Sequence, residues 1–328
     1  MSRIVRFHEV GGPDVLRLEE VETPPPGPGE VRLAVKALGL NRAEAAFRSG
    51  RYLEQPVLPS RLGYEAAGIV QDVGEGVSGF APGDVVSVVP PVGLGKYGMY
   101  GEVATVPAQF VVKHPPSLSF VDAAATWMQY VTAYGALIEI AAVTKGDAVL
   151  ITAASSSVGL AAIQIANLVG AIPIAATRTS AKRDALLAAG AAHVVATAEE
   201  DLAARVRAIT GGTGARVVFD PIGGPGVEVL AHATAREGII FQYGALSPDP
   251  TPFPRVALGN AIAMRGYIYS EITTDPRRLE AAKRFIVDGL ASGALHPIVA
   301  KTFPLEAIAD AHRYLESNQQ VGKIVVTV

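Results

Sequence analysis

The sequence predicts an α/β protein of two domains. One is a doubly wound parallel sheet and the other a barrel-like fold of short β-strands. Three observations carry this. The chain has 328 residues, more than one hydrophobic core usually organises and too short for three domains. From residue 148 onward, apolar runs alternate with helical patterns, which signals βαβ units around a parallel sheet. Before residue 115 the apolar runs are short and close, separated by glycine and proline, with little helical periodicity.

Composition narrows the function classes. Apolar residues make up 49% and charged residues 18%, which excludes a disordered chain. A net charge of −3 argues against a nucleic-acid scaffold, where a basic surplus is usual. The chain has no cysteine, which removes disulfides, thiolate nucleophiles and every zinc site that needs a Cys ligand. His8, His114, His193, His232, His296 and His312 are scattered without metal-ligand spacing. Met1–Val10 lacks the apolar segment of a secretory signal. Ala148–Thr177 carries no charge and is long enough to cross a bilayer. The serines at 155–157, then Gln164, Gly170 and Pro173, divide it instead into strand, turn, helix and strand. No membrane partner and a cytoplasmic location are expected.

Taken in order, Pro24-Pro25-Pro26-Gly27-Pro28-Gly29 is a rigid extended run. Glu30–Lys36 then alternates as a half-buried strand does. Further strands are predicted over Tyr64–Val73, Asp84–Val89, Glu102–Val106 and Phe110–Lys113. After Pro115-Pro116 the texture changes, and Ser119 caps one helix expected to run to Ile140. Strands follow at Ala148–Ala153, Ile172–Thr177, His193–Ala196, Arg216–Asp220 and Ile239–Gly244. Helices at Val158–Val169, Ala181–Ala189, Leu202–Thr210 and Val227–Ala235 separate them. Two helices, Arg277–Ser292 and Leu305–Ser317, and a strand, Lys323–Val328, complete the chain.

The most informative segment is the turn Ala154-Ser155-Ser156-Ser157-Val158-Gly159, set between a buried strand and a helix. That setting gives a dinucleotide fingerprint its meaning, and the fold it implies is the Rossmann sheet. Only the third glycine of the G-x-G-x-x-G pattern is kept, where helix and strand pack closely. Ala154 and Ser156 replace the others and are small enough for a pyrophosphate to approach. Backbone N–H groups at the helix start would hold its oxygens, and the serine hydroxyls add donors.

The end of the next strand selects the cofactor. An acidic residue there would bind the ribose 2′-OH of NAD. This chain has Thr177-Arg178-Thr179-Ser180, then Lys182 and Arg183, before any carboxylate. Cations and hydroxyls in that place suit the 2′-phosphate of NADP.

These residues carry a resemblance across nearly the whole chain. It rests on Gly39-Leu40-Asn41-Arg42-Ala43-Glu44, Leu62-Gly63-Tyr64-Glu65-Ala66-Ala67-Gly68 and Phe80-Ala81-Pro82-Gly83-Asp84-Val85-Val86. It continues through Thr132-Ala133-Tyr134, the turn at 153–159, Asp220-Pro221-Ile222-Gly223-Gly224 and Gly322-Lys323-Ile324-Val325. The sequence resembles the medium-chain dehydrogenase/reductase superfamily, in its zinc-free quinone oxidoreductase branch. The resemblance implies a GroES-like β-barrel catalytic domain built from both ends of the chain. The expected division is 1–124 for its first part, 125–266 for the Rossmann domain, and 267–328 for the return. A homodimer is also implied. Zinc-dependent relatives carry Cys where this chain has Asn41 and His where it has Tyr64, so no metal is expected.

The resemblance further implies site residues. Asn41 is placed beside nicotinamide and substrate, with an amide able to polarise a carbonyl. Tyr52 lies near the cleft as a phenol that can donate a proton, and Tyr64 lines the pocket. Thr132 contacts the nicotinamide carboxamide. Tyr243-Gly244-Ala245 ends a Rossmann strand at its ligand-binding edge, and Lys323 lies close to the cofactor phosphates. With Ser155, Ser156, Ser157, Val158, Gly159, Thr177, Arg178 and Lys182, these make the expected NADPH site. The function expected is zinc-independent hydride transfer from NADPH to a quinone or an α,β-unsaturated carbonyl. An enoyl-thioester reductase and a non-catalytic, crystallin-type NADPH-binding protein are the alternatives.

Overall fold

Contacts divide the chain into two units. One comprises Met1–Met128, Lys283–Ala291 and His296–Val328; the other comprises Gln129–Ala282 and Ser292–Leu295. The structure is a computed structural model and describes residues 1–115 and 117–328; Pro116, half of the expected Pro-Pro boundary, lies outside them.

In the first unit, β1 (Ser2–Arg6) and β2 (Arg17–Val21) pair antiparallel. Strand β3 (Glu30–Gly39) is the organiser. It buries Val31, Leu33 and Val35 and part-exposes the residues between them, the period-2 pattern of a sheet with one wet face. On one side it pairs with β4 (Glu65–Val73), which leads through β5 (Val85–Val88). On the other, its first half pairs with β6 (Val103–Pro107). A short β7 (Val111–Lys113) closes against β5.

The second unit is a six-stranded sheet. Its strands are β8 (Ala148–Ile151), β9 (Ile172–Thr177), β10 (His193–Ala196), β11 (Ala215–Asp220), β12 (Thr234–Gln242) and β13 (Ala263–Gly266). All neighbours are parallel, in the order β10-β9-β8-β11-β12-β13. Counted within the unit this is the 3-2-1-4-5-6 order of a Rossmann sheet, whose switch point lies between β8 and β11. Every residue of β8 is buried, as both-face coverage demands. Leu150, Ile174, Val195, Val218 and Ile240 form one core with Val206 and Leu230 from the helices.

The chain's last strands belong to the first unit. β14 (Val299–Pro304) runs parallel to β15 (Lys323–Thr327), and β15 pairs antiparallel with the end of β3. Residues 267–282 stay with the second unit, where a Cβ on Gly135 would meet the Tyr267 hydroxyl at 2.1 Å and Ile272 at 2.4 Å. The return therefore begins at Lys283 instead of 267.

The long helix expected over Ser119–Ile140 is broken. Ser119 does cap it, accepting the Asp122 N–H at 3.1 Å. The first segment ends at Ala124, the next runs over Trp127–Tyr134, and Gly135–Ile140 is a π-helix. The break has a use. The Met128 amide donates to the Glu65 carboxylate at 2.9 Å instead of to a helical carbonyl. Among the described residues no helix is long and apolar enough to cross a membrane.

Candidate functional site

In the second unit the serine turn joins β8 to a helix. Ser156 caps the helix Ser157–Leu168, its Oγ accepting the Gly159 N–H at 3.1 Å. A Cβ on Gly159 would lie 2.6 Å from the Ala154 carbonyl oxygen, so the third glycine of the pattern is a packing requirement. Ala153, just ahead of the turn, has φ of +45°, a left-handed conformation that suits glycine. Ser157 and Val158 open the helix. Its first amides, with the positive end of the helix dipole, are groups that could hold an anion.

Thr177 ends β9 and is buried, and Arg178 beyond it is exposed. Lys182 Nζ donates to Ser155 Oγ at 3.2 Å. Burial, then the nearby Arg178 charge, lowers the Lys182 pKa. Two cations thus stand together beside the turn. Arg183, grouped with them on sequence, is taken elsewhere: it pairs with Glu200 at 2.8 Å and donates to the Val194 carbonyl. No carboxylate pairs with Arg178 among the described residues.

The switch point has its own ties. Thr152 Oγ1 donates to Asp220, and the other Asp220 oxygen accepts the Gly223 N–H at 2.7 Å. Burial raises the Asp220 pKa. This bond joins the ends of β8 and β11, and neither residue stood out as functional on sequence. Tyr243 stacks on Phe219 with centroids 4.0 Å apart. Gly244 was expected to admit nicotinamide, but its Cβ would lie 2.6 Å from the Pro221 carbonyl oxygen. The protein's own turn already requires that glycine. Ala245 is exposed, and Thr132 is buried in the helix Trp127–Tyr134.

The first unit holds a buried polar network. Asn41 and Glu44 form a capping box on the helix Arg42–Arg48. Glu44 is fully buried and accepts from the Asn41 amide at 2.7 Å, the Tyr64 amide at 2.8 Å and the Tyr100 hydroxyl at 2.5 Å. Burial pushes its carboxyl up to about 7, against those donors and the Lys323 charge. Arg48 Nη1 lies 3.0 Å from His312 Nδ1, and His312 Nε2 lies 3.1 Å from the Tyr100 hydroxyl. Burial, then Arg48, holds the His312 imidazole down to about 3. Since arginine only donates, the neutral ring carries its proton on Nε2. Donors therefore point in sequence from Arg48 through His312 and Tyr100 to Glu44.

Two expectations are corrected by this network. Lys323 was placed near cofactor phosphates. Instead its ammonium is ion-paired with Glu65 and donates to Asn41 Oδ1 at 2.7 Å, with both charged side chains 0% exposed. A buried ammonium must keep such a partner, so Lys323 is not available to phosphates. Asn41 was to polarise a substrate carbonyl. It is 7% exposed, and its Nδ2 already faces Glu65 at 3.1 Å, Glu44 at 3.3 Å and the Gly39 carbonyl at 3.3 Å. Its two N–H bonds are spent within the chain.

The tyrosines are brought together. Tyr64 is buried, and its hydroxyl donates to that of the half-buried Tyr52 at 3.0 Å. Burial raises the Tyr52 pKa. Tyr52 thus receives one hydrogen bond and keeps its own hydrogen for another acceptor.

Known proteins match this architecture. A family model described as "Alcohol dehydrogenase GroES-like domain" matches residues 27–116, and one described as "Zinc-binding dehydrogenase" matches 157–288. The 2-haloacrylate reductase of Burkholderia sp is 32% identical over 98% of this chain and 97% of its own. Quinone oxidoreductase 1 of Escherichia coli (strain K12) is 34% identical over 98% of each. The crystal structure of Escherichia coli quinone oxidoreductase complexed with NADPH superposes with a TM-score of 0.92, at 32% identity over 100% of both chains. The second model's description names zinc, yet no group of three His, Cys, Asp or Glu able to hold a metal occurs among the described residues. On this architecture and these likenesses, the chain belongs to the medium-chain dehydrogenase/reductase superfamily, in its zinc-free quinone oxidoreductase branch.

Proposed function

We propose that the chain is a zinc-independent reductase that uses NADPH to reduce a quinone or an α,β-unsaturated carbonyl, acting as a homodimer. One observation carries the cofactor reading. At the end of β9, Arg178 and Lys182 stand together beside the Ser156-capped helix, with no carboxylate on Arg178 among the described residues. The helix amides suit a pyrophosphate and the paired cations suit a 2′-phosphate. The residues present fit NADPH, and the same cofactor is bound in the Escherichia coli relative.

When bound, the cofactor supplies hydride. The chain's residues hold it, position the acceptor and provide a proton. Tyr52 is the proposed donor to the reduced acceptor, and Tyr64 is its positioning residue. The donor role for Asn41 is withdrawn: it supports the wall of the site through Glu44 and Glu65. Thr132, Tyr243 and Ala245 are kept as proposed cofactor neighbours.

The test is cofactor titration with an acceptor panel. NADPH should bind more tightly than NADH. Arg178→Ala should weaken NADPH by about 1.5–3 kcal/mol, the worth of a hydrogen bond to a charged group, and leave NADH nearly unchanged. NADPH should be consumed with 9,10-phenanthrenequinone, 1,4-benzoquinone or simple enones. Binding without turnover on all of them would replace this reading with a cofactor-binding protein.

A further inference from the structure

The segment Tyr52–Pro59 of the first unit carries the phenol assigned above as proton donor, and little of its backbone is held. It is pinned at its two ends. The Arg51 amide donates to the Ala46 carbonyl at 2.9 Å, and Ser60 exchanges two backbone hydrogen bonds with Phe7, at 2.9 and 3.0 Å. Between those ends no backbone–backbone hydrogen bond forms among the described residues. Apolar burial does not hold the segment either, since Leu53 is 77% and Val57 85% exposed. Tyr52, Glu54 and Pro56 are half-buried.

Two side chains fasten it to the rest of the unit. The Tyr52 hydroxyl accepts from that of Tyr64 at 3.0 Å. Glu54 accepts the Leu94 amide at 3.0 Å and the Gly95 amide at 3.3 Å, one on each carboxylate oxygen. Those amides open the turn Gly93–Tyr97, in which the Gly93 carbonyl takes the Lys96 and Tyr97 amides at 3.1 and 2.9 Å. The turn is a firm anchor. Leu94 is buried, and a Cβ on Gly95 would meet Ser60 Oγ at 3.2 Å and Phe47 Cζ at 3.4 Å. Hydrogen bonds from amides to a carboxylate are stronger than those between neutral groups. Glu54 also acts on the phenol by its charge. Burial raises the Tyr52 pKa, the Tyr64 hydrogen bond opposes this, and Glu54 adds to the rise. The phenol therefore keeps its hydrogen.

We propose that Glu54 is a positioning residue for Tyr52: its carboxylate holds the Tyr52–Pro59 segment on the Gly93–Tyr97 turn and so fixes where the phenol stands. The inference rests on the proposed donor role of Tyr52. Glu54 itself touches neither cofactor nor acceptor. It acts through the segment, as Tyr64 acts through its hydroxyl.

Steady-state kinetics of the full chain with NADPH, on a simple enone and on 1,4-benzoquinone, test this through a double-mutant cycle. Glu54→Ala should lower kcat on the enone by about tenfold, the cost of a misplaced reacting group. It should leave the KM for NADPH within about twofold. On benzoquinone, whose reduced oxygen can take its proton from water, kcat should stay within about threefold. In a Tyr52→Phe background Glu54→Ala should cost nothing further, because no phenol is left to place. Glu54→Gln keeps an acceptor for one amide and loses the charge, so its enone rate should fall between the unmutated chain and Glu54→Ala. Its loss should likewise vanish on Tyr52→Phe, and this variant decides the matter if Glu54→Ala does not fold. An unchanged enone rate, an equal loss on both acceptors, or a loss repeated in full on Tyr52→Phe overturns the proposal. Tyr52→Phe at the unmutated enone rate instead refutes the donor reading itself, and the proposal falls with it.

Discussion

Lys323→Met separates a structural role for this lysine from the phosphate-binding role that its sequence position implied. In the folded chain its ammonium faces Glu65 and Asn41, with the ion pair 0% exposed. Removing it leaves Glu65 buried with two remaining donors, Asn41 Nδ2 at 3.1 Å and the Met128 amide at 2.9 Å. Asn41 Oδ1 loses the Lys323 donor as well. Breaking a buried pair from one side costs about 3–5 kcal/mol. For a unit of this size that lowers Tm by on the order of 10 °C. Trp127 is the only tryptophan, is 1% exposed and donates to Ser87 Oγ at 2.8 Å in the same unit. Its fluorescence should follow the loss directly in a urea titration. Adding Glu65→Gln to Lys323→Met should recover part of it, because the uncompensated charge is gone. NADPH affinity of the folded fraction should change by less than about threefold, under 1 kcal/mol. A tenfold or greater loss of NADPH affinity at unchanged stability would refute the reasoning and restore the phosphate role.

Ala153→Gly should raise stability by up to about 1 kcal/mol in urea unfolding, because the left-handed conformation at φ +45° suits glycine. Tyr52→Phe should lower kcat on enones by roughly 10²-fold if Tyr52 donates the proton. On quinones, whose reduced oxygen can be protonated by water, the loss should stay below about tenfold. Activity should survive exhaustive EDTA treatment; loss restored only by zinc would overturn the metal-free reading. Glu44 has a folded value of about 7, raised by burial from the ordinary glutamate range. Its contribution is therefore fully present below the unfolded value and is lost as pH rises toward 7. Urea midpoints of Glu44→Gln should show a shallower fall across that window than those of the unmutated chain.

The parallel sheet was legible because its signals are local. Ile172–Thr177 and His193–Ala196 were expected at the bounds observed, since a strand buried on both faces reads as an uninterrupted apolar run. The strands missed are those whose pattern is set by distant partners. β1 and β2 carry Arg3, Arg6, Glu19 and Glu20 on short segments. The Arg6–Glu19 pair that stitches them is visible only once they lie side by side. β14 is half-exposed, with Lys301 and Thr302 in its middle. The helix Arg42–Arg48 was a different failure, because its cue was printed in the sequence. Asn41 followed three residues later by Glu44 is a capping box with Asn in the cap position. Read that way, it would also have shown that Asn41 and Glu44 bond to each other.

The site divides along the same line. The strand-turn-helix form of the serine segment was legible because its parts are local, but Ser156, expected as a phosphate donor, has its Oγ accepting the Gly159 N–H as a helix cap. Charges cannot be read so. Arg178 and Arg183 are alike in sequence, yet Glu200, in the loop that follows the next strand, takes Arg183. Lys323 meets Glu65 and Asn41 from the opposite end of the chain. A cation's role depends on whether the fold gives it a carboxylate. Those that receive one, Lys323 and Arg183, hold the protein together. Arg178 receives none among the described residues, and it is the position beside the phosphate turn where an anion from outside has something to gain.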